Sequence, residues 1–314
     1  MNIVCCTDHN YVMPTGVMMC SVCENNHDCE VFFHVICNDD VTEEDKRDLT
    51  DIAHQYNNRI CFHSVNIEVP SCFTIKKENQ PKHITISAYY RLFLTEILPN
   101  DIEKVLYLDS DIIVRHSLHE MYNTDMEGCA IGVVTDCFEG VIEYYNRLRY
   151  SPTLGYFNSG VLLINLAYWR ENNILQECIN FATKFPERIV FHDQDILNYV
   201  LKNNKKTFNL TFNLQDVHLH KKLMISWEYE TELLEAITDP YIIHFTGSHK
   251  PWRKKCTNPY KNEFIKYKNL TKWKNTPLWK APKATWKIRL KKILEGIGVL
   301  KKTPSPYTTI PSLK

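Results

Sequence analysis

The sequence predicts an α/β protein in which a mostly parallel sheet is flanked by helices. Short apolar strand-like runs alternate with helix-like segments through the first hundred residues. That alternation is what crossover connections between parallel strands require. One of the runs ends in two aspartates, Asp109 and Asp111, and open parallel sheets bind ligands beyond the carboxyl ends of their strands.

The elements follow in order. "NIVCCT" near the start and "EVFFHVIC" (Glu30 to Cys37) read as buried strands. "TEEDKRDLTDIAHQYN" reads as a helix: Thr42 caps it, acids fill its first turn, and Leu49, Ile52, Ala53 and Tyr56 form an apolar stripe. "RICFHSV" returns to strand, "SAYYRLFLTEIL" (Ser87 to Leu98) to helix, and "KVLYLD" to strand. Further on, "CAIGVV" and "FNSGVLLINL" read as strands, and "AYWRENNILQECINFATKF" as one amphipathic helix. "DQDILNYVL" is a helix opened by acids, and "YIIHFTGSHKPW" (Tyr241 to Trp252) is a strand that breaks into a glycine-containing loop. The ends of the first strand ("TDHNY", Thr7 to Tyr11) and of "KVLYLD" then lie along one sheet edge. This places Asp8, Asn10, Asp109 and Asp111 in one cleft.

Composition narrows the class. At 314 residues and 44% hydrophobic content, the chain can bury a large core. Lys+Arg and Asp+Glu both number 37, so no global charge points to nucleic acid. The balance is uneven, however: between Lys250 and Lys302 the only acids are Glu263 and Glu295, and such a basic tail suits an anionic partner. "MNIVCCTDHN" lacks the basic start of a secretory signal, and no apolar run approaches the roughly 20 residues that span a bilayer. The expected location is the cytoplasm. Scattered cysteines in such a chain read as reduced thiols, and the Cys20–Cys23 pair has no partner motif at zinc spacing.

Asp109 and Asp111 carry the sharpest chemistry. In extended backbone, residues i and i+2 face one side, so the two carboxylates share one space and repel. A polar turn accounts for aspartates generally, but Ile112, Ile113 and Val114 follow at once and are poor turn formers. A divalent cation between the carboxylates resolves the repulsion, and hard oxygen ligands suit Mn²⁺ or Mg²⁺.

"TDHNY", "HITISAYYRL", "KVLYLDSDIIV", "YFNSGVLLINL", "HDQDILN" and "HFTGSHKPW" occur in this order from about Asn2 to Trp252. In these motifs the chain resembles glycosyltransferase family 8, in particular its bacterial lipopolysaccharide galactosyl- and glucosyltransferases. The resemblance implies a GT-A type, Rossmann-like fold, a UDP-sugar donor, Mn²⁺, and retention of configuration at the anomeric carbon. It implies that His244 joins Asp109 and Asp111 on the metal, and that Gly247 and Lys250 serve the diphosphate. Asp8, Asn10 and Tyr11 fall where the family binds uridine, with His9 standing where a second acid is common. Asp109 and the Ser110 backbone fall against the ribose. Arg91, Asp136, Asn158, Asp193 and Gln194 are the candidates for reading the sugar. The resemblance implies that Asp193 and Gln194 flank the place of a nucleophile on the sugar's far face. A carboxylate there can form a glycosyl-enzyme as retaining glycosidases do; same-face attack needs no nucleophile, and both routes stay open.

The implied organisation is a catalytic body over residues 1–252 and a basic, aromatic, helical region over 253–314. "KATWKIRLKKILEGIGVL" spaces Trp286, Leu290, Ile293 and Ile297 helically among Lys287, Arg289, Lys291 and Lys292. Such a helix suits an anionic inner-leaflet membrane carrying a lipid-linked glycan acceptor. Two rival classes fit less well. A metal-dependent nucleotidyltransferase wants a Gly-rich, basic phosphate loop that "TDHNYVMPTG" lacks. A non-catalytic sugar-nucleotide binder has no need of the complete Asp109, Asp111, His244 set.

Overall fold

A computed structural model describes residues 1–65, 70–73, 86–280 and 306–307. Seven strands form the main sheet: β1 (Asn2–Thr7), β2 (Phe32–Cys37), β3 (Arg59–Ser64), β4 (Lys104–Leu108), β6 (Ile131–Thr135), β7 (Phe157–Asn165) and β8 (Lys205–Phe208). Their order is β3-β2-β1-β4-β7-β6-β8. All neighbours are parallel except β7, which runs against both β4 and β6. The expected mostly parallel sheet is therefore present, and helices cover its faces.

A second sheet of three short strands matters more to function. It comprises β5 (Ile112–Val114), β9 (Leu214–Gln215) and β10 (Ile242–His244), with β10 in the centre. The chain passes from β4 to β5 through Asp109–Asp111, so the run expected to be one strand is two strands in two sheets. The carboxylates converge because the chain turns there, rather than because extended backbone alternates. Ile112–Val114 tolerate the position because they form a buried edge strand of the second sheet.

Helix α1 (Val12–Glu24) is a helix that no sequence pattern announces. Apart from Glu24 its residues are buried on every side, so no polar face marks a period in the sequence. Helix α2 (Glu43–Gln55) forms as expected, with a reciprocal capping box between Thr42 and Asp45. Two other helices differ. Ile86–Phe93 is a 3₁₀ helix that becomes α-helical only at Leu94–Ile97. The long helix expected after residue 166 is split into Leu166–Glu171 and Ile174–Lys184, because Asn173 adopts the left-handed conformation (φ 50°).

Packing is continuous across residue 252: Trp252, Tyr260, Phe264 and Tyr267 share one buried cluster with Met13 and Val17 of α1. The expected tail helix around Trp286–Ile297 lies outside the described residues. The chain is described again at Pro306 and Tyr307, where Tyr307 pairs with His220 and donates its hydroxyl to Asp216 at 2.9 Å. Among the described residues no helix is long and apolar enough to cross a membrane.

Candidate active site

β1 and β4 are parallel neighbours, so the segments after Thr7 and after Leu108 leave the sheet at the same edge. Thr15 of α1 ties them together. Its hydroxyl oxygen lies 2.8 Å from Ser110 Oγ, 2.9 Å from Thr7 Oγ1 and 2.8 Å from the Tyr11 carbonyl. Ser110 in turn donates to the Cys6 carbonyl at 2.9 Å. Asp8 caps the short turn that follows, accepting from the Tyr11 N–H at 3.1 Å, while Tyr11 packs edge-on against Trp252. Asn10 is exposed at the rim.

Asp109, Asp111 and His244 present ligand atoms within 4.8 Å of one another, the one such His/Cys/Asp/Glu group among the described residues. The second sheet makes this possible. Antiparallel pairing sets His244 opposite Ile112, next to Asp111, and the Phe245 N–H bonds the Asp111 carbonyl at 2.9 Å. His244 Nε2 lies 3.2 Å from Asp111 Oδ1 and 3.7 Å from Asp109 Oδ2. A Cβ on Gly160 of β7 would come within 2.3 Å of His244 Cε1 and 2.7 Å of Asp109 Oδ2. Only glycine lets these side chains meet.

The histidine tautomer follows from its neighbours. The Gly160 N–H donates to Asn158 Oδ1 at 3.0 Å, which makes that atom an acceptor. Asn213 Nδ2 donates to the same oxygen at 3.0 Å, leaving Asn213 Oδ1 to face His244 Nδ1 at 3.0 Å. Nδ1 therefore carries the proton, and Nε2 offers its lone pair to the space between the carboxylates, the arrangement expected of a metal-ligating histidine. The residues fit a divalent cation.

Cationic side chains already balance the carboxylates. Burial alone raises the Asp111 carboxyl, but the Lys250 ammonium outweighs it and holds the group well below the usual carboxylate range. The Lys250 ammonium pairs with Asp111 Oδ2 and donates to the Phe245 carbonyl at 2.8 Å. It is buried rather than solvated. Arg91 donates to Asp109 Oδ1 at 2.9 Å and to the Ser159 carbonyl. Its Nε is 3.2 Å from Asp193 Oδ2 but donates to the Ala88 carbonyl. Asp193 Oδ2 is thus a buried oxygen without a hydrogen-bond donor. Burial raises the Asp193 carboxyl, and Arg91 opposes that rise.

Beside this lies a second cluster. Asp136 accepts from the Phe138 N–H at 2.9 Å, from Asn158 Nδ2 at 3.1 Å and from Gln194 Nε2 at 3.2 Å. Burial raises its carboxyl despite these bonds. These groups open on a cavity of about 360 Å³, lined also by Phe138, Tyr144, Phe191, Asp216 and Gly247. Gly247 has φ 71°, the left-handed region that favours glycine.

Among the sequence candidates, Asp109, Asp111, His244, Lys250, Arg91 and Asp193 form one contiguous set. Asp136, Asn158 and Gln194 form the adjoining one, joined to it through Asn213. Thr15, Gly160 and Asn213 were missed. A glycine inside the strand run "FNSGVLLINL" was the one available signal, since it marks a close approach.

The sequence profile of glycosyl transferase family 8 matches residues 2–256. A lipopolysaccharide glucosyltransferase of Escherichia coli is 27% identical, over 87% of this chain and 79% of its own. A lipopolysaccharide 1,3-galactosyltransferase of Salmonella typhimurium is 28% identical, over 88% and 80%. The solved structure of galactosyltransferase LgtC, in complex with donor and acceptor sugar analogs, matches with a TM-score of 0.76 at 27% identity, covering 93% of this chain and 100% of that one. The fold is GT-A. The chain belongs to glycosyl transferase family 8 and is a glycosyltransferase related to the lipopolysaccharide galactosyl- and glucosyltransferases.

Proposed function

We propose that the protein is a metal-dependent retaining hexosyltransferase. It moves galactose or glucose from a UDP-sugar to a glycan or lipid-linked glycan in lipopolysaccharide or surface polysaccharide synthesis. The observation that carries this is the convergence of Asp109, Asp111 and the Nε2 lone pair of His244 at the edge where β1 and β4 end. Mn²⁺ or Mg²⁺ held there supplies Lewis-acid neutralisation of the departing diphosphate.

The remaining residues divide the work. Asp8, Asn10 and Tyr11 hold the uridine, and Asp109 with the Ser110 backbone holds the ribose. Lys250 exchanges Asp111 for diphosphate oxygens when the donor enters, and Gly247 lets the backbone approach them. Arg91 fixes Asp109 and stands beside Asp193, whose donor-less oxygen accepts a hydroxyl hydrogen of the donor sugar. Asp136, Asn158 and Gln194 orient the acceptor hydroxyl. The bond from the anomeric carbon to the diphosphate breaks towards UDP, the acceptor hydroxyl oxygen bonds to that carbon with retention, and its proton passes to the departing diphosphate oxygen.

The region after residue 252 binds an anionic inner-leaflet membrane, which concentrates the enzyme beside its lipid-linked acceptor. The enzyme is thereby cytoplasmic and peripheral. Hydrolysis of a UDP-sugar panel without acceptor, together with thermal protection by UDP, tests the donor reading. Protection by GDP or ADP equal to that by UDP would overturn it.

A further inference from the structure

Trp227 is 87% exposed, the most exposed of the large apolar side chains described. Its loop is nonetheless pinned. Ser226 donates its hydroxyl to Glu139 Oε2 at 2.6 Å and its N–H to the same oxygen at 3.3 Å. The Gly140 N–H bonds the Met224 carbonyl at 3.1 Å, and a Cβ on Gly140 would lie 2.8 Å from that oxygen. Glu139 itself is 6% exposed and is held by the Tyr145 hydroxyl. A buried carboxylate and a glycine-permitted backbone approach thus hold this indole out in water. An aromatic ring held in the open beside an active site marks an interaction surface.

Trp227 borders a concave space of about 420 Å³ walled by Gly140, Val141, Leu223 and Glu228. This adjoins the cavity at Asp136. The turn Phe138–Val141, closed by a 2.9 Å bond, lines both, and on the far side Val217 and His220 lead directly to Leu223. We infer that the Trp227 groove is a second saccharide subsite, which receives the acceptor sugar next to the one being modified. The proposal rests on the transferase reading above.

The chemistry favours sugar over lipid. A pyranose turns weakly positive C–H groups on one face and hydroxyls at its edge. The negative face of an indole meets the former, and the carboxylate of Glu228 accepts from the latter. Residues 221–235 carry Lys221 and Lys222 but also Glu228, Glu230, Glu232 and Glu235, a balance that repels an anionic bilayer.

The test uses the full chain with Mn²⁺ and UDP, titrated with neutral saccharides graded from one to four sugars. The readouts are binding and indole fluorescence. We expect at least one saccharide of two or more units to bind wild type at least tenfold more tightly than Trp227→Ala. Trp227→Phe should stay within threefold of wild type while losing the fluorescence change. Single sugars should bind the three proteins alike. If no longer saccharide distinguishes wild type from Trp227→Ala, the subsite is refuted. It is also refuted if the substitution weakens binding to phosphatidylglycerol vesicles and leaves saccharides unaffected. Thermal protection of wild type by UDP, measured in parallel, reports separately on the donor reading.

Discussion

Asn213 Oδ1 stands 3.0 Å from His244 Nδ1, and the amide nitrogen of the same side chain donates to Asn158 Oδ1 at 3.0 Å. One carboxamide therefore links the Asp136, Asn158 and Gln194 cluster to His244 and fixes which imidazole nitrogen faces Asp109 and Asp111. Replacing Asn213 with leucine removes that orientation without touching the metal. Outer-shell substitutions of this kind typically weaken metal binding by about 10–100-fold. A calorimetric Mn²⁺ titration of Asn213→Leu that matches wild type would show that the amide does not orient the ligand.

Gly160→Ala should be more damaging than its one carbon suggests. The new Cβ meets His244 and Asp109 together, at 2.3 and 2.7 Å, so the ligands must part. Overpacking of this kind costs about 1–3 kcal/mol in stability, and Mn²⁺ affinity should fall further than stability does. Unfolding curves and metal titrations on the same sample check this. Equal affinity in the alanine variant would show that the three ligands need not meet.

Stability should fall in mild acid through His34. This imidazole is 1% exposed, and burial, reinforced by His63 and Arg59, pushes it down to about 4. An unfolded histidine titrates near 6.5, so the unfolded state takes up the proton first. The contribution is complete above about pH 6.5 and is lost as pH falls towards 4, by roughly 2–3 kcal/mol. The melting temperature of His34→Asn should depend less steeply on pH between 6.5 and 4.5 than that of wild type. Identical slopes would rule the histidine out.

The sequence spoke most clearly where chemistry and period coincide. The capped helix at Thr42, the buried strands and the pairing of the Asp109 and Asp111 carboxylates each carry a local signal, whereas the turn between those two aspartates did not show. Helix α1 carried none, because burial on all sides erases amphipathic period. The second sheet was hidden because its strands are two or three residues long and join through pairings distant in sequence, such as His244 with Ile112. Asn213 and Thr15 could not be singled out for the same reason. Their roles exist only once the chain brings residues 158, 213 and 244, or 7, 15 and 110, together.

Deleting the chain after Pro282 should release the protein from anionic vesicles at low salt and spare UDP-sugar hydrolysis in solution. The removed segment carries many lysines and few acids, and each cation near such a surface adds about 1 kcal/mol. Sedimentation with vesicles reads the effect. Undiminished binding by the truncated protein would place membrane contact elsewhere.

The central claim is that Asp109, Asp111 and His244 hold a divalent cation on which UDP-sugar binding and transfer depend. Calorimetric titration of Mn²⁺ into UDP-loaded protein, comparing wild type with Asp111→Asn, tests it most directly. Wild type should bind the ion. The variant should lose affinity by more than the roughly 100-fold upper range of an outer-shell change while keeping its circular dichroism. Unaltered Mn²⁺ binding by Asp111→Asn, or full sugar transfer by wild type in EDTA after exhaustive metal removal, would contradict the account.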